Sequence, residues 1–182
     1  RDWSSDVCSS DLNDVPTVST ATANLTEGDS ASSISTSGTI TVVDADAGQS
    51  HTQASTQPGE YGTFVIDDKG AWTYTASSAH DELKAGEKVQ EVFTVTSADG
   101  ETTNTVTINI TGQNDVPTVS SAVESLTESD SESSISTSGT ITVVDADAGQ
   151  SHTQASTQTG EYGTFAINAQ GEDRKSTRLN SS

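Results

Sequence analysis

The chain has 182 residues, of which 27 are acidic and seven basic, giving a net charge of −20. Such an acidic chain argues against nucleic acid or an anionic membrane as a direct partner, because phosphate contacts need Lys and Arg. No apolar run approaches the ~20 residues of a membrane helix, so we expect no membrane insertion and a highly solvated protein that attracts cations.

The two ends of the chain are predicted to be foreign to it. Codons can be chosen for Asp173–Arg178 so that the complementary strand encodes Val7–Asp11 in a shifted frame. Both ends also resemble a translated sequencing adapter, so we expect residues 1–12 and 173–182 to lie outside the native fold. Without them the chain keeps three lysines, 23 acidic residues, no arginine and no cysteine.

A period of 101 residues organises the rest of the chain. Residues 32–57 recur unchanged as residues 133–158, and the motif Asn-Asp-Val-Pro-Thr-Val-Ser begins at both Asn13 and Asn114. A repeat of this length is one small domain and is too long for a solenoid unit. We predict one complete copy at 13–113 and a truncated, poorly stable copy at 114–172, which lacks the last strands of the first.

Alternating β-branched and apolar residues predict seven short strands in the first copy. They are 17–21, 39–43, 52–56, 63–66, 71–75, 89–97 and 103–111. The inward positions form two layers, one of Phe93, Val95, Val106, Ile108 and Ile110, and one of Ile40, Val42, Phe64, Ile66, Trp72 and Tyr74. Seven antiparallel strands in ~100 residues without cysteine predict an all-β, immunoglobulin-like sandwich, in which only 79–88 offers a helical turn.

Catalysis has little support in this sequence. No Gly-x-Ser-x-Gly, no phosphate-cradling loop and no His-Glu-x-x-His motif occurs. His80 beside Asp81 is interpreted as surface polarity rather than as half of a triad. Phe64, Trp72 and Tyr74 are predicted to be core residues, with a sugar-binding face as the alternative.

Each copy has a strand that runs into two aspartates one residue apart, Asp44 and Asp46 in the first copy, Asp145 and Asp147 in the second. Two such carboxylates repel each other unless a cation or hydrogen-bond donors lie between them. Ca²⁺ takes six to eight oxygen ligands, and carboxylate and Asn oxygens suit it. The junction Asn114–Asp115 supplies two further side chains with oxygen donors before the second pair of aspartates, so we predict a calcium site there.

Three other interpretations of these acids remain open. The acids are ordinary solvating charge, Asn-Asp-x-Pro is only a turn, or the identity of the copies records a recent duplication. An EF-hand is excluded, because the twelfth position counted from Asp44 is Ser55 where that loop needs Glu.

The ordered motifs together resemble the VCBS repeat, which is similar to cadherin-like domains. They include Asn-Asp-Val-Pro, Gly-Thr-Ile-Thr-Val-Val-Asp-Ala-Asp-Ala-Gly, Tyr-Gly-Thr-Phe and Gly-Ala-Trp-Thr-Tyr-Thr, and the resemblance covers 13–172. It implies a tandem, calcium-associated module of large RTX-type bacterial adhesins, located outside the cell or on its surface and active in adhesion or biofilm formation.

The resemblance also implies a ligand set and partners. By similarity to cadherins, one Ca²⁺ would be shared by residues of both copies, namely Glu27, Asp99, Asn114, Asp115, Asp145 and Asp147. The partners would be neighbouring repeats, and the module would be a spacer that holds an adhesive tip away from the bacterium. The alternatives are a module that binds extracellular polysaccharide or a cell-surface ligand, and an accessory domain of a secreted enzyme.

Overall fold

The structure is a computed structural model that describes residues 13–127, 129–130 and 135–173. The adapter-like segments predicted at 1–12 and 173–182 lie outside these residues, except for Asp173. The chain forms two compact units, the first made of 13–80 and 85–113 and the second of 81–84 and the described part of 114–173. Within the described ranges, no helix has the length and apolar character needed to span a membrane.

The first unit consists of nine strands and one short 3-10 turn. The strands are β1 Thr17–Val18, β2 Ala21–Thr26, β3 Ser35–Thr39, β4 Val42–Val43, β5 Ser55–Pro58, β6 Gly62–Ile66, β7 Ala71–Ala76, β8 Lys88–Thr96 and β9 Thr103–Thr111. One sheet has the order β2-β9-β8, the other has the order β3-β7-β6-β5, and β1 pairs with β4 as a small ribbon. The predicted all-β sandwich is confirmed.

Several details of the predicted strands are wrong. The predicted strand 39–43 is two strands, because Ile40 N donates to Gly70 O (2.8 Å) whereas the next amide, Thr41 N, donates to the Ser19 hydroxyl (2.9 Å). The chain therefore changes partner from β7 to β1 between two residues. In the same way 17–21 divides into β1 and β2, and 52–56 becomes β5, which starts three residues later.

Two further predictions about the first unit, on strand direction and on the helical turn, are wrong. β2 runs parallel to β9, so the strands are not all antiparallel. The helical turn expected within 79–88 is not formed there, and the 3-10 turn lies at Ala31–Ser33 instead. Neither feature has a local sequence signal. The parallel pairing, for example, joins residues that lie 85 positions apart in the chain.

The two predicted core layers are confirmed. All eleven inward residues of the layers are 7% exposed or less. Phe64 of one sheet stacks on Phe93 of the other with ring centroids 5.0 Å apart, and Trp72 lies 5.7 Å from Phe64. Phe64, Trp72 and Tyr74 are core residues, as predicted, so their rings are not available as a sugar-binding platform.

A buried carboxylate in this core was not predicted. Glu91 is 9% exposed, and its two oxygens accept hydrogen bonds from the Tyr74 hydroxyl (2.6 Å) and from Tyr61 N (3.0 Å). The signal was present in the sequence, because period-2 alternation places Glu91 on the same face of β8 as Phe93 and Val95. A buried acid is tolerated here because both of its oxygens are hydrogen-bonded.

His80 also differs from the prediction of surface polarity. It is 4% exposed and adopts a positive φ of 64°, a conformation that non-glycine residues rarely adopt. Its Nε2 lies 2.7 Å from the Tyr61 carbonyl oxygen, and its Nδ1 lies 3.1 Å from the Ser78 hydroxyl. Because a carbonyl only accepts, Nε2 carries the proton, and His80 is a structural residue of its loop.

We expect the Tyr74–Glu91 pair to make the first unit sensitive to alkali. Burial and the hydrogen bond to Glu91 raise the pKa of Tyr74 above its ordinary value near 10. As the pH rises, the unfolded chain therefore loses the Tyr74 proton at a lower pH than the folded chain does. The free energy of unfolding falls above about pH 10, by up to ~1.4 kcal/mol per pH unit. Denaturant titrations at pH 9 and 11, followed by tryptophan fluorescence with Trp3 replaced by Phe, measure that loss.

The Tyr74→Phe variant is the control for this prediction. It has no hydroxyl to ionise, so its stability should decline less between the two pH values than that of the unaltered chain. An equal decline in both proteins would show that Tyr74 is not the group responsible.

The second unit has shorter strands. They are β10 Thr118–Val119, β11 Val143–Val144, β12 Ser156–Thr159 and β13 Thr164–Ile167. β10 pairs with β11 and β12 with β13, as β1 pairs with β4 and β5 with β6 in the first unit. Its apolar residues are less buried, since Phe165 is 43% exposed whereas the equivalent Phe64 is fully buried.

Candidate metal centre

In the first unit the Asp-x-Asp motif forms a closed turn directly after β4. Asp46 N donates to Asp44 Oδ1 (2.8 Å), and the Ser50 hydroxyl bridges Asp44 N (3.1 Å) and Asp44 O (3.2 Å). This is an Asx turn, in which a side-chain oxygen replaces a backbone acceptor. Gly48 completes the turn with a φ of +81°, a conformation in which a side chain would be strained.

The residues before β1 contact the same turn. Asp14 N donates to Asp46 Oδ2 (2.8 Å), and the Asn13 amide donates to Asp99 Oδ2 (3.1 Å). Four aspartates and one asparagine therefore gather at one end of the first unit. No metal site was predicted at this end of the first unit. The recurrence of Asn-Asp-Val-Pro before both Asp-x-Asp turns is the sequence signal that could have indicated one.

Asp99 is held in its charged form at this end. The Ser97 hydroxyl donates to Asp99 Oδ1 (2.6 Å), and Glu101 N donates to the same oxygen (3.1 Å). The hydrogen bond from Ser97, supported by those from Asn13 and the backbone, keeps the pKa of Asp99 below its ordinary value. A carboxylate that stays ionised is available to a cation at neutral pH.

The second unit repeats the turn around Asp145 and Asp147. Asp147 N donates to Asp145 Oδ1 (3.0 Å), and Asp115 N donates to Asp147 Oδ2 (3.1 Å). The Asn114 amide bonds to the carbonyl of Asp115. Four of the six predicted ligands, all from the second copy, are therefore connected through one loop cluster.

Asp147 carries the clearest sign of a ligand in this turn. It is 1% exposed, and among the described residues its Oδ1 has no hydrogen-bond partner. The Asx turn accounts for Asp145 Oδ1 and the junction amide accounts for Asp147 Oδ2, but neither accounts for Asp147 Oδ1. A buried, charged oxygen without a partner is costly, and a cation would remove that cost.

Glu27 and Asp99 lie at opposite ends of the first unit. Asp99 precedes β9, whereas Glu27 Oε1 accepts from Gln113 N (2.6 Å) just after β9 ends. Nine residues of β9 at ~3.3 Å each separate the two ends by roughly 25–30 Å. At that separation one ion cannot contact both Glu27 and Asp99, and the assignment of the six predicted ligands stays a prediction.

Among the described residues, no group of three or more His, Cys, Asp or Glu side chains is arranged as a metal cluster. The donors in each turn are oxygens, which suit Ca²⁺ and not a metal that prefers sulfur or nitrogen. Two aspartates supply only part of the six to eight ligands that Ca²⁺ takes, and carbonyls or water would have to supply the others. The turns thus fit calcium in ligand type.

Comparison with known proteins gives one family. The family model described as "Bacterial cadherin-like domain" matches residues 13–112, and none of the curated proteins searched matches. Among solved structures, the chain is similar to the protocadherin gammaB7 EC3-6 cis-dimer, at 16% identity and a TM-score of 0.46, over 93% of this chain and 40% of that chain.

Two further protocadherin structures are similar to the same extent. One is PcdhgB3 EC1-4, at 13% identity and a TM-score of 0.47, over 92% of this chain and 42% of that chain. The other is the protocadherin gammaB4 extracellular domain, at 15% identity and a TM-score of 0.46, over 92% of this chain and 27% of that chain. The chain thus spans less than half the length of each of these three structures.

Proposed function

The chain belongs to the bacterial cadherin-like domain family, whose members are extracellular structural or adhesion modules, and on that premise we propose that it is a calcium-stiffened spacer repeat of a secreted bacterial adhesin. The observation that carries the proposal is the buried Asp147 oxygen without a partner, in a turn tied to the junction residue Asp115. The finer family assignment, the VCBS repeat, and a role in biofilm formation belong to this proposal.

The proposed ligands of the second copy are Asn114, Asp115, Asp145 and Asp147. The first two lie in the segment that leads from one copy to the next, and Pro117 restricts that segment further by fixing its own φ. When bound, the ion supplies positive charge between the two aspartates of the turn and ties them to the junction. The junction then loses torsional freedom, which is the property that a spacer needs.

The first copy has the equivalent set at its own start. There Asn13, Asp14, Asp44 and Asp46 are joined by Asp99, whose side chain bonds to Asn13. We assign Asp99 to this set rather than to the junction at Asn114. The contribution of Glu27 stays a prediction.

A calcium titration tests the proposal. We expect the full chain to bind Ca²⁺ by calorimetry and to melt several degrees higher with Ca²⁺ than with chelator, since a ligand at 100 times its Kd stabilises the folded state by about 2.7 kcal/mol. Asp147→Asn should weaken binding at the second copy. Asp46→Asn should reduce the shift of the first unit's melting transition, which is followed by tryptophan fluorescence with Trp3 replaced by Phe.

Asp68→Asn is the matched control, because Asp68 is an exposed acid in a hairpin turn outside both sets. It should leave binding and the melting shift unchanged. No heat of binding and coincident melting curves with and without Ca²⁺ would exclude calcium stiffening. Loss of binding in Asp68→Asn equal to that in Asp147→Asn would point to general surface charge instead.

A further inference from the structure

The hydroxyl of Ser50 holds the backbone of Asp44, which lies six positions earlier in the chain. It accepts a hydrogen bond from Asp44 N (3.1 Å) and donates one to Asp44 O (3.2 Å). Ser151 makes the same two bonds to Asp145, both at 3.0 Å. In each copy, one serine side chain therefore closes the loop that begins at the first aspartate of the Asp-x-Asp turn.

The position of β4 explains why Asp44 needs a side chain as its partner. Within the described ranges, β4 pairs with β1 alone. Ser19 N donates to Thr41 O (2.9 Å), so the backbone of Thr41 faces the strand that contains β1. Because facing alternates along an antiparallel pair, the N–H and C=O of Asp44, three residues later, point to the other side. Ser50 supplies a hydrogen-bond partner for both groups there.

This arrangement leaves one polar atom of Asp44 for another use. Ser50 holds the backbone N and O, and Asp46 N donates to Asp44 Oδ1 (2.8 Å). The remaining oxygen, Asp44 Oδ2, is buried and has no hydrogen-bond partner in the part of the chain that the structure describes. A buried carboxylate oxygen of this kind is costly, and a cation would remove the cost. By fixing the backbone of Asp44, Ser50 also fixes where that oxygen lies.

The second copy supports the same assignment of oxygens. Ser151 holds the backbone of Asp145, and Asp147 N donates to Asp145 Oδ1 (3.0 Å). In both copies a backbone amide from before the first strand bonds to Oδ2 of the second aspartate. These bonds leave Oδ2 of the first aspartate and Oδ1 of the second to face an ion. The buried oxygen without a partner is the former in the first copy and the latter in the second.

We propose that Ser50 and Ser151 are positioning residues of the two turns, a role that rests on the proposed function, calcium binding. Each hydroxyl directs Oδ2 of the first aspartate toward the ion before the ion binds. Both serines are exposed, so they add little to the core. Groups that orient metal ligands without touching the metal typically change the affinity by roughly 10- to 100-fold when they are removed.

The test compares the full chain with its Ser50→Ala variant, both with Trp3 replaced by Phe so that Trp72 alone reports on the first unit. The melting temperature of that unit is measured at a series of Ca²⁺ concentrations, and the onset of its rise gives the Kd. We expect about a tenfold higher Kd for Ser50→Ala. Ser50→Thr keeps the hydroxyl and should bind Ca²⁺ nearly as well as the unaltered chain.

Ser77→Ala is the matched control. Ser77 is another exposed serine of the first unit, and its hydroxyl donates to a backbone oxygen outside the turn, that of Tyr61 (3.1 Å). Its loss should lower the melting temperature at every Ca²⁺ concentration and leave the Kd unchanged. A purely structural role of Ser50 would give the same result for Ser50→Ala.

Hydrogen exchange in the presence of chelator supplies a readout without calcium. The amides of Asp44 and Asp46 should exchange faster in Ser50→Ala than in the unaltered chain, because the turn is less well held. Unchanged exchange would mean that the hydroxyl acts on the ion alone, as a ligand, and would overturn the positioning role.

The outcomes separate this inference from the proposed function. If the unaltered chain does not bind Ca²⁺, the proposed function is wrong and the positioning role is wrong with it. If the unaltered chain binds Ca²⁺ and Ser50→Ala has the same Kd, only the positioning role is wrong. An equal rise in Kd for Ser77→Ala would also overturn it, since the effect would then come from a general loss of stability.

Discussion

Phe64→Ala is expected to lower the free energy of unfolding of the first unit by about 3–5 kcal/mol, the usual cost of removing a buried phenylalanine. Phe64 is fully buried and stacks on Phe93 across the two sheets, with Trp72 beside it. Its loss leaves a cavity at the point where the sheets meet, which neighbouring side chains on regular strands cannot fill. Denaturant unfolding followed by tryptophan fluorescence, with Trp3 replaced by Phe so that Trp72 alone reports, measures the change.

Phe165→Ala is the matched control, since Phe165 occupies the same position in the second copy. It is 43% exposed, so the same deletion there should change stability by less than about 1 kcal/mol. Equal costs at the two positions would contradict the difference in packing between the two units.

Gly70→Ala is expected to destabilise the first unit by about 3 kcal/mol or more. Gly70 has a φ of +81°, where an L-residue with a side chain is strained by ~1–2 kcal/mol. In addition, a Cβ at Gly70 would lie 2.0 Å from the Ile40 carbonyl oxygen, so the backbone would have to move. That movement would disturb the hydrogen bond from Ile40 N to Gly70 O, which lies where the chain passes from β3 to β4.

Gly48→Ala separates the two contributions. Gly48 has the same φ of +81°, but no described atom lies within 4 Å of a Cβ built on it. We expect a cost of only ~1–2 kcal/mol there, from backbone conformation alone. If both variants lose the same stability, close approach to Ile40 contributes nothing. Urea midpoints of the two variants, compared with the unaltered chain, decide between these outcomes.

The core of the first unit could be predicted because alternation is a local property. Phe93 and Val95 on one strand, or Trp72 and Tyr74 on another, face one way whatever the strand pairs with. The same rule placed Glu91 inward, yet a charged residue was not expected in the core. Its acceptance depends on the Tyr74 hydroxyl and the Tyr61 amide, which lie 17 and 30 residues away.

The candidate metal centre was likewise predictable from sequence only in part. The pair of aspartates at the end of a strand is read from neighbouring residues, and the structure closes each pair into a turn by a hydrogen bond between them. Which remote residues join it was not predictable, because the direction of each strand decides which end of the sheet a loop occupies. Asp99 therefore lies with Asn13, whereas Glu27 lies with Gln113.

The sequence by itself determined the all-β class, the two inward layers and the acidic turns, since all three follow from residues within a few positions of each other. Only the tertiary structure decided the parallel β2–β9 pairing and the distribution of acids between the two ends of the first unit. Both depend on contacts between segments that are distant in the chain.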